Sequence, residues 1–213
     1  MKTLLIDYGS GNLHSAAKAL EASGFNSNGH ELVVSSNPQD ALDADALVLP
    51  GQGHFRQVME AFTDSGFEAV VRAHLAAQKA FLGICVGMQI LYESSEESAL
   101  PGLGLLAGRL KRFPKGLPVP QMQWNKLEKI GSSPLLQGLE AGAFAYFVHS
   151  YYLPEGSAEH GAITDYGVRF LSVVSSGNLH ATQFHPEKSQ AVGLQMLENF
   201  RIWAEAYSRR IVI

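Results

Sequence analysis

The sequence is 213 residues long, 46% of them hydrophobic and 17% charged, and its formal net charge at pH 7 is −4. This length and composition are typical of one globular unit with a substantial core, so we expect a single domain over residues 1–213. The negative charge argues against nucleic-acid binding, and no apolar run is long enough to span a bilayer. A lone cysteine excludes an internal disulfide and a cysteine zinc site, which fits a reducing compartment. We therefore expect a cytoplasmic protein.

Apolar runs and amphipathic segments alternate through the first half of the chain. Near-continuous apolar runs separated by helices are typical of a parallel sheet covered on both faces, and right-handed crossovers make such a sheet doubly wound. Ligands bind to these folds at the carboxyl ends of the strands. The predicted strands are 3–9, 31–36, 46–51 and 80–85, and the predicted helices are 13–25, 55–62, 67–78 and 86–95.

The second half of the chain changes to strands joined by turns such as SSGN at 175–178, which predicts an antiparallel extension of the sheet. The predicted strands lie in segments 104–113, 144–154, 160–167 and 169–186, and the last of these segments contains the SSGN turn. A closing helix over 189–207 is predicted from apolar residues at helical spacing, namely Val192, Met196, Leu197, Phe200, Trp203 and Tyr207. The predicted fold class is α/β, with a doubly wound, mostly parallel central sheet, helices on both faces and an antiparallel extension from the C-terminal half.

The single cysteine, Cys85, lies where a predicted strand ends and a predicted helix begins, inside the pentapeptide GICVG at 83–87. This spacing has the form of a nucleophile elbow, a sharp turn in which side chains at the two glycine positions would clash with other backbone. A helix N-terminus also favours a thiolate over a thiol. A lone cysteine is more often an inert buried residue, but in this pattern Cys85 is predicted to be a catalytic nucleophile.

The base for this nucleophile is predicted from the motif QFHPEKS at 183–189. Proline biases His185 toward extended geometry, and side chains two apart in an extended chain share a face. Glu187 can therefore hold the imidazole in one tautomer while the other ring nitrogen faces Cys85. We expect most of the other histidines at the surface or in turns.

An acyl-transfer site also needs N–H groups that stabilise an oxyanion. The natural first donor is the backbone amide of Val86, directly after the nucleophile. The second donor is expected from LPGQGHF at 49–55, where Gly51 and Gly53 flank Gln52. Because both neighbours of Gln52 are glycine, its peptide can reorient at little cost, so we expect this donor to be switchable.

Two other kinds of site are argued against by the sequence. The pair Gly9-x-Gly11 lacks the third glycine of a dinucleotide-binding fingerprint, since position 14 is histidine, and there is no phosphate loop. His180 and His185 are predicted on opposite faces of an extended segment, and no carboxylate cluster completes a metal site. We therefore expect no cofactor and no metal.

Three motifs resemble, in the same order, the signatures of class I glutamine amidotransferases: PGQGHF, GICVGMQ and QFHPEKS. More narrowly, LIDYGSGNL, PQMQWN, YFVHSYY and YGVRF resemble segments of the glutaminase subunits of imidazole glycerol phosphate synthases. The resemblance runs from about residue 3 to the final helix.

The resemblance implies hydrolysis of L-glutamine to glutamate and ammonia through a cysteine thioester. In that chemistry Cys85 attacks the amide, His185 moves the protons and Glu187 orients His185. The ammonia would pass to a separate cyclase subunit, a (β/α)₈ barrel that makes imidazole glycerol phosphate in histidine biosynthesis. The two subunits would form a heterodimer, with glutaminase activity that is weak alone and strong once the cyclase and its ligand are bound.

The resemblance also implies binding residues. Gln89, Glu97, Ser150 and Tyr151 would lie near the bound glutamine, where a carboxylate such as Glu97 suits the ammonium group of the substrate. A solvated acidic helix end is the alternative for Glu97. The positions expected to face the cyclase are Asn12, Met122, Trp124, Tyr146 and Lys188.

Two positions depart from the family pattern, and other functions stay open. Val86 replaces the usual leucine, which is harmless if only its backbone amide acts, whereas Gln123 replaces a glycine and adds a long polar side chain near the expected interface. The alternatives are a glutaminase subunit of another synthase, a catalytically silent doubly wound binding module, and a cysteine peptidase. Thiol reactivity separates a silent module from the enzymes.

Overall fold

The computed structural model describes residues 1–9 and 12–211, so part of LIDYGSGNL and the last two residues lie outside the described residues. The helices are α1 (Leu13–Ala22), α2 (Phe55–Asp64), α3 (Phe67–Ala76), α4 (Val86–Gln89) and α5 (Gln190–Ile211). The strands are β1 (Lys2–Ile6), β2 (Glu31–Ser35), β3 (Ala46–Leu49), β4 (Ala80–Ile84), β5 (Tyr92–Ser95), β6 (Leu106–Arg112), β7 (Gln121–Lys126), β8 (Glu128–Ile130), β9 (Phe144–His149), β10 (Tyr151–Tyr152), β11 (Gly161–Asp165), β12 (Arg169–Ser176) and β13 (Leu179–Thr182).

An eight-stranded sheet lies at the centre of the molecule, in the order β2-β1-β3-β4-β13-β12-β11-β8. The first five strands in this order, β2, β1, β3, β4 and β13, are parallel to one another. Strands β12, β11 and β8 continue the sheet with antiparallel pairing. Strands β3 and β4 are buried along their whole length, as their unbroken apolar sequences require. The predicted fold class is confirmed.

The helices cover both faces of this sheet. The crossover from β1 through α1 to β2 moves toward one edge, and the crossover from β3 through α2 and α3 to β4 moves toward the other. Right-handed crossovers in opposite directions place their helices on opposite faces. The strand order therefore reverses between β1 and β3, and ligands bind outside the carboxyl ends of the strands at such a point.

Two small sheets lie beside the central one, and they correct the predicted helix over 86–95. Strands β10, β6 and β5 form one sheet, and β7 and β9 form the other. Helix α4 ends at Gln89, and the chain then becomes β5. After α4, the amide of Leu103 donates to the carbonyl of Ile90 at 2.8 Å, and β5 pairs with β6. Pairing with distant residues therefore overrides the helical pattern.

The strands predicted over 104–113 and 144–154 form, but in the small sheets rather than in the central one. The second run breaks at Ser150, so that β9 pairs with β7 while β10 pairs with β6. The Ser150 carbonyl accepts the amide of Phe113 at 3.1 Å, which holds the break in place. This break places Ser150 and the strand after it at a corner between two sheets.

Helix α5 closes the core and confirms the predicted packing face. Met196, Leu197 and Phe200 are buried, and the Phe200 ring stacks on Phe25 with 6.3 Å between ring centroids. The helix continues past the predicted end at residue 207. Neither α5 nor any other helix within the described residues is long and apolar enough to cross a membrane.

Candidate active site

Cys85 lies at a sharp turn between β4 and α4, as a nucleophile elbow requires. Its backbone has a φ of +55° and a ψ of −111°, values that residues with side chains rarely adopt. The amide of Cys85 donates to the carbonyl of Thr182 on β13 at 2.7 Å, which anchors this strained residue to the central sheet. The Cys85 side chain is buried.

The glycines around the turn are required by close backbone packing. A Cβ atom on Gly83 would lie 3.0 Å from the Gly87 carbonyl oxygen, and one on Gly87 would overlap the Leu49 carbonyl oxygen. A Cβ atom on Gly51 would overlap the Gly87 amide nitrogen and lie 2.7 Å from the carbonyl carbon of Val86. The steric prediction for 83–87 is confirmed, and the loop after β3 packs directly against the turn that carries the thiol.

His185 and Glu187 are hydrogen-bonded, with 2.7 Å between Nδ1 and Oε1, and both side chains are almost fully buried. Because a carboxylate only accepts, Nδ1 carries the hydrogen, and the Nε2 atom is left for another partner. The contact was predicted from an extended backbone at His185 and Glu187, and only the first of these is extended. His185 itself is extended, but Pro186–Lys188 form a 3₁₀ turn, and that turn brings Glu187 back toward the ring.

The pKa of His185 is raised from 6.5 to about 10. Burial lowers this pKa, but the Cys85 sulfur and the Glu187 carboxylate, through charge and hydrogen bonding, together outweigh burial. The arrangement therefore favours a protonated, cationic His185 beside the Cys85 sulfur. Helix α4 has a single turn, so its dipole contributes little at the Cys85 sulfur.

The backbone amide of Val86 is available as an oxyanion donor. Val86 begins α4, and the first hydrogen bonds of that turn run from the amides of Met88 and Gln89 to the Cys85 carbonyl. The amide of Val86 therefore has no acceptor within the helix, as is usual for the first helical residue.

The loop expected to carry the second donor lies beside this turn. Gly51 is buried against it, Gln52 is exposed, and Gly53 has a φ of +105°, which favours glycine. The hydroxyl of Tyr8 donates to the carbonyl of Pro50 at 2.9 Å and fixes the start of the loop. The start of the loop is therefore anchored, and the glycine at position 53 gives it a backbone conformation that other residues rarely adopt.

A cavity of about 290 Å³ opens onto Cys85. Most of the residues expected in the site line this cavity: Gln52, Gly53, Cys85, Val86, Gln89, Glu97, Ser150, Tyr151, His185 and Lys188. Lys188 thus lines the cavity, although it was expected at the partner surface. Four further residues that were not expected in the site also line the cavity, namely His54, Pro120, Val148 and His149. Each of them lies in or beside a quoted motif, which is the signal that could have found them.

Gln89 holds the wall of the cavity together. Its Nε2 atom donates to the Tyr151 carbonyl and to Oε1 of Gln183, each at 3.1 Å, and its side chain is buried. Both amide hydrogens are therefore used inside the protein. The role of Gln89 in the wall is to fix β10 against α4.

Glu97 follows β5 and does not end a helix, so the alternative of a solvated acidic helix end is wrong. Its Oε1 lies 2.9 Å from Nδ1 of His54, and its Oε2 accepts the backbone amide of Phe55 at 2.9 Å. The side chain of Glu97 is 15% exposed. The carboxylate is therefore held at the cavity by the two residues that follow the loop after β3.

Three of the positions expected to face a partner lie together on the small sheet of β7 and β9. Met122 and Trp124 are 61% and 41% exposed, and the Trp124 ring lies 5.8 Å from the ring of Tyr146. Gln123, the departure from the family pattern, is exposed between them. Asn12 lies elsewhere, half-buried at the start of α1.

The expectation that the other histidines lie mostly at the surface is wrong for His74, His149 and His180, which are buried. Burial lowers the pKa of each imidazole from 6.5 to about 4, so all three are neutral at neutral pH. Within residues 1–9 and 12–211, no group of three histidine, cysteine or acidic side chains is arranged to hold a metal ion.

Comparison with known proteins gives the class. The sequence model of the family described as Glutamine amidotransferase class-I matches residues 4–203. The crystal structure of a glutamine amidotransferase superimposes with a TM-score of 0.69 at 19% identity, covering 95% of this chain and 98% of that chain. At this identity the superposition establishes a shared fold. Because the family match spans most of the chain, the chain belongs to the class I glutamine amidotransferases.

Three relatives narrow this class, and each is an imidazole glycerol phosphate synthase subunit HisH. The relative from Deinococcus radiodurans is 55% identical over 94% of this chain and 93% of its own length. Those from Thermus thermophilus and Aquifex aeolicus are 51% and 46% identical over 96% of this chain and 99% and 98% of their own lengths. Within its class, the chain therefore belongs to the HisH family, and the resemblance drawn from the motifs is confirmed.

Proposed function

We propose that this chain hydrolyses L-glutamine to glutamate and ammonia and supplies the ammonia to a cyclase subunit that makes imidazole glycerol phosphate in histidine biosynthesis. The observation that carries this proposal is the strained Cys85 elbow beside the buried pair of His185 and Glu187, on one cavity. Membership of the HisH family supports the substrate and the partner. A reducing cytoplasm suits a reaction that depends on a free thiol.

The first half of the reaction forms a thioester. The Cys85 thiolate attacks the side-chain amide carbon of glutamine, which forms a carbon–sulfur bond and a tetrahedral oxyanion. His185, protonated at Nε2, gives its proton to the leaving nitrogen, the carbon–nitrogen bond breaks, and ammonia departs. Glu187 keeps the Nδ1 hydrogen of His185 engaged, so that Nε2 faces the reacting atoms.

The second half releases glutamate. Water attacks the thioester carbon while neutral His185 accepts its proton, and the carbon–sulfur bond then breaks to restore the thiolate. In both halves the oxyanion receives the amide of Val86 and a second amide from residues 51–53. Because Gly51 and Gly53 flank Gln52, the second donor can be turned toward or away from the oxyanion.

The substrate lies in the cavity beside Gln89, Glu97, Ser150 and Tyr151. The Glu97 carboxylate receives the α-ammonium group of glutamine through a charge-assisted hydrogen bond. The break between β9 and β10 brings Ser150 and Tyr151 to the cavity wall.

The cyclase binds at the surface that carries Met122, Trp124 and Tyr146. Asn12, at the start of α1, and Lys188, at the Cys85 cavity, are the further positions assigned to this contact. Exposed aromatic and methionine side chains of this kind are enriched at protein interfaces. The Tyr146 carbonyl accepts the amide of the catalytic histidine at 3.2 Å, so a partner that moves β9 also acts on the active site. This contact supports glutaminase activity that increases when the cyclase and its ligand bind.

We also propose that residues 1–213 act as one glutamine amidotransferase domain. The family match over residues 4–203 supports this boundary, as does a continuous core that joins the central sheet to α5 in the described residues.

The deciding experiment measures glutamate released from L-glutamine by the purified chain, alone and with the cyclase subunit of an imidazole glycerol phosphate synthase and its nucleotide ligand. Strong stimulation by the partner is the expected result. The Cys85→Ala variant should release no glutamate but should still support cyclase turnover with added ammonia. Activity without stimulation would assign another partner, peptide turnover instead would indicate a peptidase, and no activity would leave a silent binding module.

A further inference from the structure

His54 connects the loop at the cavity to Glu97. It occupies the N-cap position of α2, directly after Gly53, yet its side chain makes no hydrogen bond to the helix. Its Nδ1 atom instead donates to Oε1 of Glu97, which lies 43 residues further along the chain, at 2.9 Å. The other oxygen of Glu97 accepts the amide of Phe55, the first residue of α2, at 2.9 Å.

These two contacts fix the plane of the Glu97 carboxylate. A hydrogen bond from Phe55 alone would hold one oxygen and let the group swing about that contact, whereas the second hydrogen bond from His54 holds the other oxygen. An ionised carboxylate offers about four acceptor positions. The protein therefore uses one on each oxygen and leaves acceptor capacity on a carboxylate that lines the same cavity as Cys85.

Stability is a poor explanation of the contact between His54 and Glu97. The side chain of His54 is 73% exposed while that of Glu97 is 15% exposed, and solvent around the exposed partner weakens what such a contact contributes to folding. Helix α2 has no acidic residue in its first turn, and the contact of Glu97 with Phe55 already supplies a carboxylate there. The additional hydrogen bond from His54 changes the orientation of the carboxylate rather than the stability of the helix.

We infer that His54 is a positioning residue for the α-ammonium group of the substrate. Together with Phe55 it holds Glu97 so that the unused acceptor positions face the ammonium group of an α-amino acid bound in the cavity. His54 thereby favours α-amino acid amides over amides that lack the amino group. This inference rests on the proposed function, because it requires glutamine to bind beside Cys85.

The test compares L-glutamine with glutaramate, which has the same amide and carboxylate but no α-amino group. Both are assayed with the complex of the chain, its cyclase partner and the ligand of the partner. In His54→Ala we expect kcat/KM for glutamine to fall about tenfold, mainly through KM, because a hydrogen bond to a charged group is lost. For glutaramate we expect less than about a twofold change, because there is no ammonium group to position.

Two variants sharpen this comparison. His54→Asn should restore most of the glutamine KM, because the asparagine amide can donate from a position close to that of Nδ1. Glu60→Ala removes an exposed pair with Arg56 on the same helix without touching Glu97, so it should leave both substrates unaffected. Binding of L-glutamate and of glutarate, measured by titration calorimetry, gives the same comparison without turnover.

An equal loss with both substrates in His54→Ala would overturn the inference, because His54 would then support only the loop or the helix. A fall in kcat with an unchanged KM would also overturn it. A wild-type complex that turns over neither substrate would contradict the proposed function itself, and with it the inference. The two failures are therefore distinguishable.

Discussion

His185 and Glu187 are hydrogen-bonded at 2.7 Å across a single intervening residue, and both side chains are almost fully buried. The pKa of His185 is raised to about 10, because the Cys85 sulfur and then the Glu187 carboxylate outweigh the opposing effect of burial. A contact inside one short 3₁₀ turn therefore contributes directly to the protonation state of the proposed base.

Glu187→Gln should lower the pKa of His185, because it removes a negative charge beside the imidazole at nearly constant size. The imidazolium would then lose its proton at lower pH. We expect the alkaline limb of the kcat/KM profile for glutamine to move down by about one pH unit or more, and kcat to fall roughly 10²-fold or more. The measurement is a pH–rate profile of the complex with its cyclase partner.

A matched control for this variant is Glu155→Gln, which removes an exposed carboxylate paired with Arg169. The alkaline limb of the kcat/KM profile of this variant should coincide with that of the wild type. If the Glu187→Gln profile also had the wild-type alkaline limb, the proposed role of Glu187 in the charge state of His185 would be wrong.

The turn at Cys85 and the contact between His185 and Glu187 could be predicted because their signals are local. A strand that ends in G-x-C-x-G favours a tight turn for steric reasons, and the proline after His185 favours an extended backbone in which side chains two apart share a face. The expected extended geometry at Glu187 is wrong, but the predicted contact still forms, because a 3₁₀ turn also allows a hydrogen bond across one residue.

The walls of the site could not be predicted, because contacts between distant residues determine them. Helix α4 stops after one turn since the segment around Leu103 pairs with the residues that follow it. The hydrogen bond between His54 and Glu97 spans 43 residues, and neither side chain carries a periodic or capping signal that would indicate the other.

Gly51→Ala should impair the reaction more than its effect on folding explains. The new Cβ atom would overlap the Gly87 amide and lie 2.7 Å from the Val86 carbonyl carbon. The loop after β3 must therefore move away from the Cys85 turn. We expect a loss of about 1–3 kcal/mol in stability from overpacking. At temperatures where the variant stays folded, kcat should fall about 10²-fold because the proposed oxyanion donor in residues 51–53 is displaced.

Gly102→Ala is the control for this steric effect. Its Cβ atom would overlap the Tyr92 carbonyl oxygen, which also forces the backbone to shift, but at a position that does not line the Cys85 cavity. It should lose stability, measured by thermal unfolding, without a comparable loss of kcat. Equal kcat values in the two alanine variants would show that the loop position does not limit the reaction.

Trp124→Ala should weaken binding of the cyclase. The Trp124 ring is 41% exposed and packs beside Tyr146, and large aromatic side chains dominate the binding energy of many interfaces. We expect the Kd from titration calorimetry to rise about 30-fold or more, as for an interface hot spot. Leu42→Ala, which truncates a 60% exposed apolar side chain elsewhere, should leave the Kd unchanged. Similar Kd values for both variants would place the interface on another surface.

His74→Gln should reduce the amount by which the free energy of unfolding falls when the pH is lowered. The pKa of His74 is lowered by burial from 6.5 to about 4, so only the unfolded chain takes up this proton as the pH falls below 6.5. The stability that neutral His74 contributes is therefore present above pH 6.5 and is lost progressively toward pH 4.

Glutamine in place of His74 keeps an N–H donor for the Ala80 carbonyl, which the imidazole contacts at 2.9 Å, but cannot titrate. Between pH 7 and 5, the free energy of unfolding in urea should fall about 2 kcal/mol less in the variant than in the wild type. His14→Gln, which replaces an exposed histidine on α1, should keep the wild-type dependence. If His74→Gln and the wild type lost stability in parallel, the buried imidazole would be protonated in the folded chain, and the acid sensitivity would have to come from other groups.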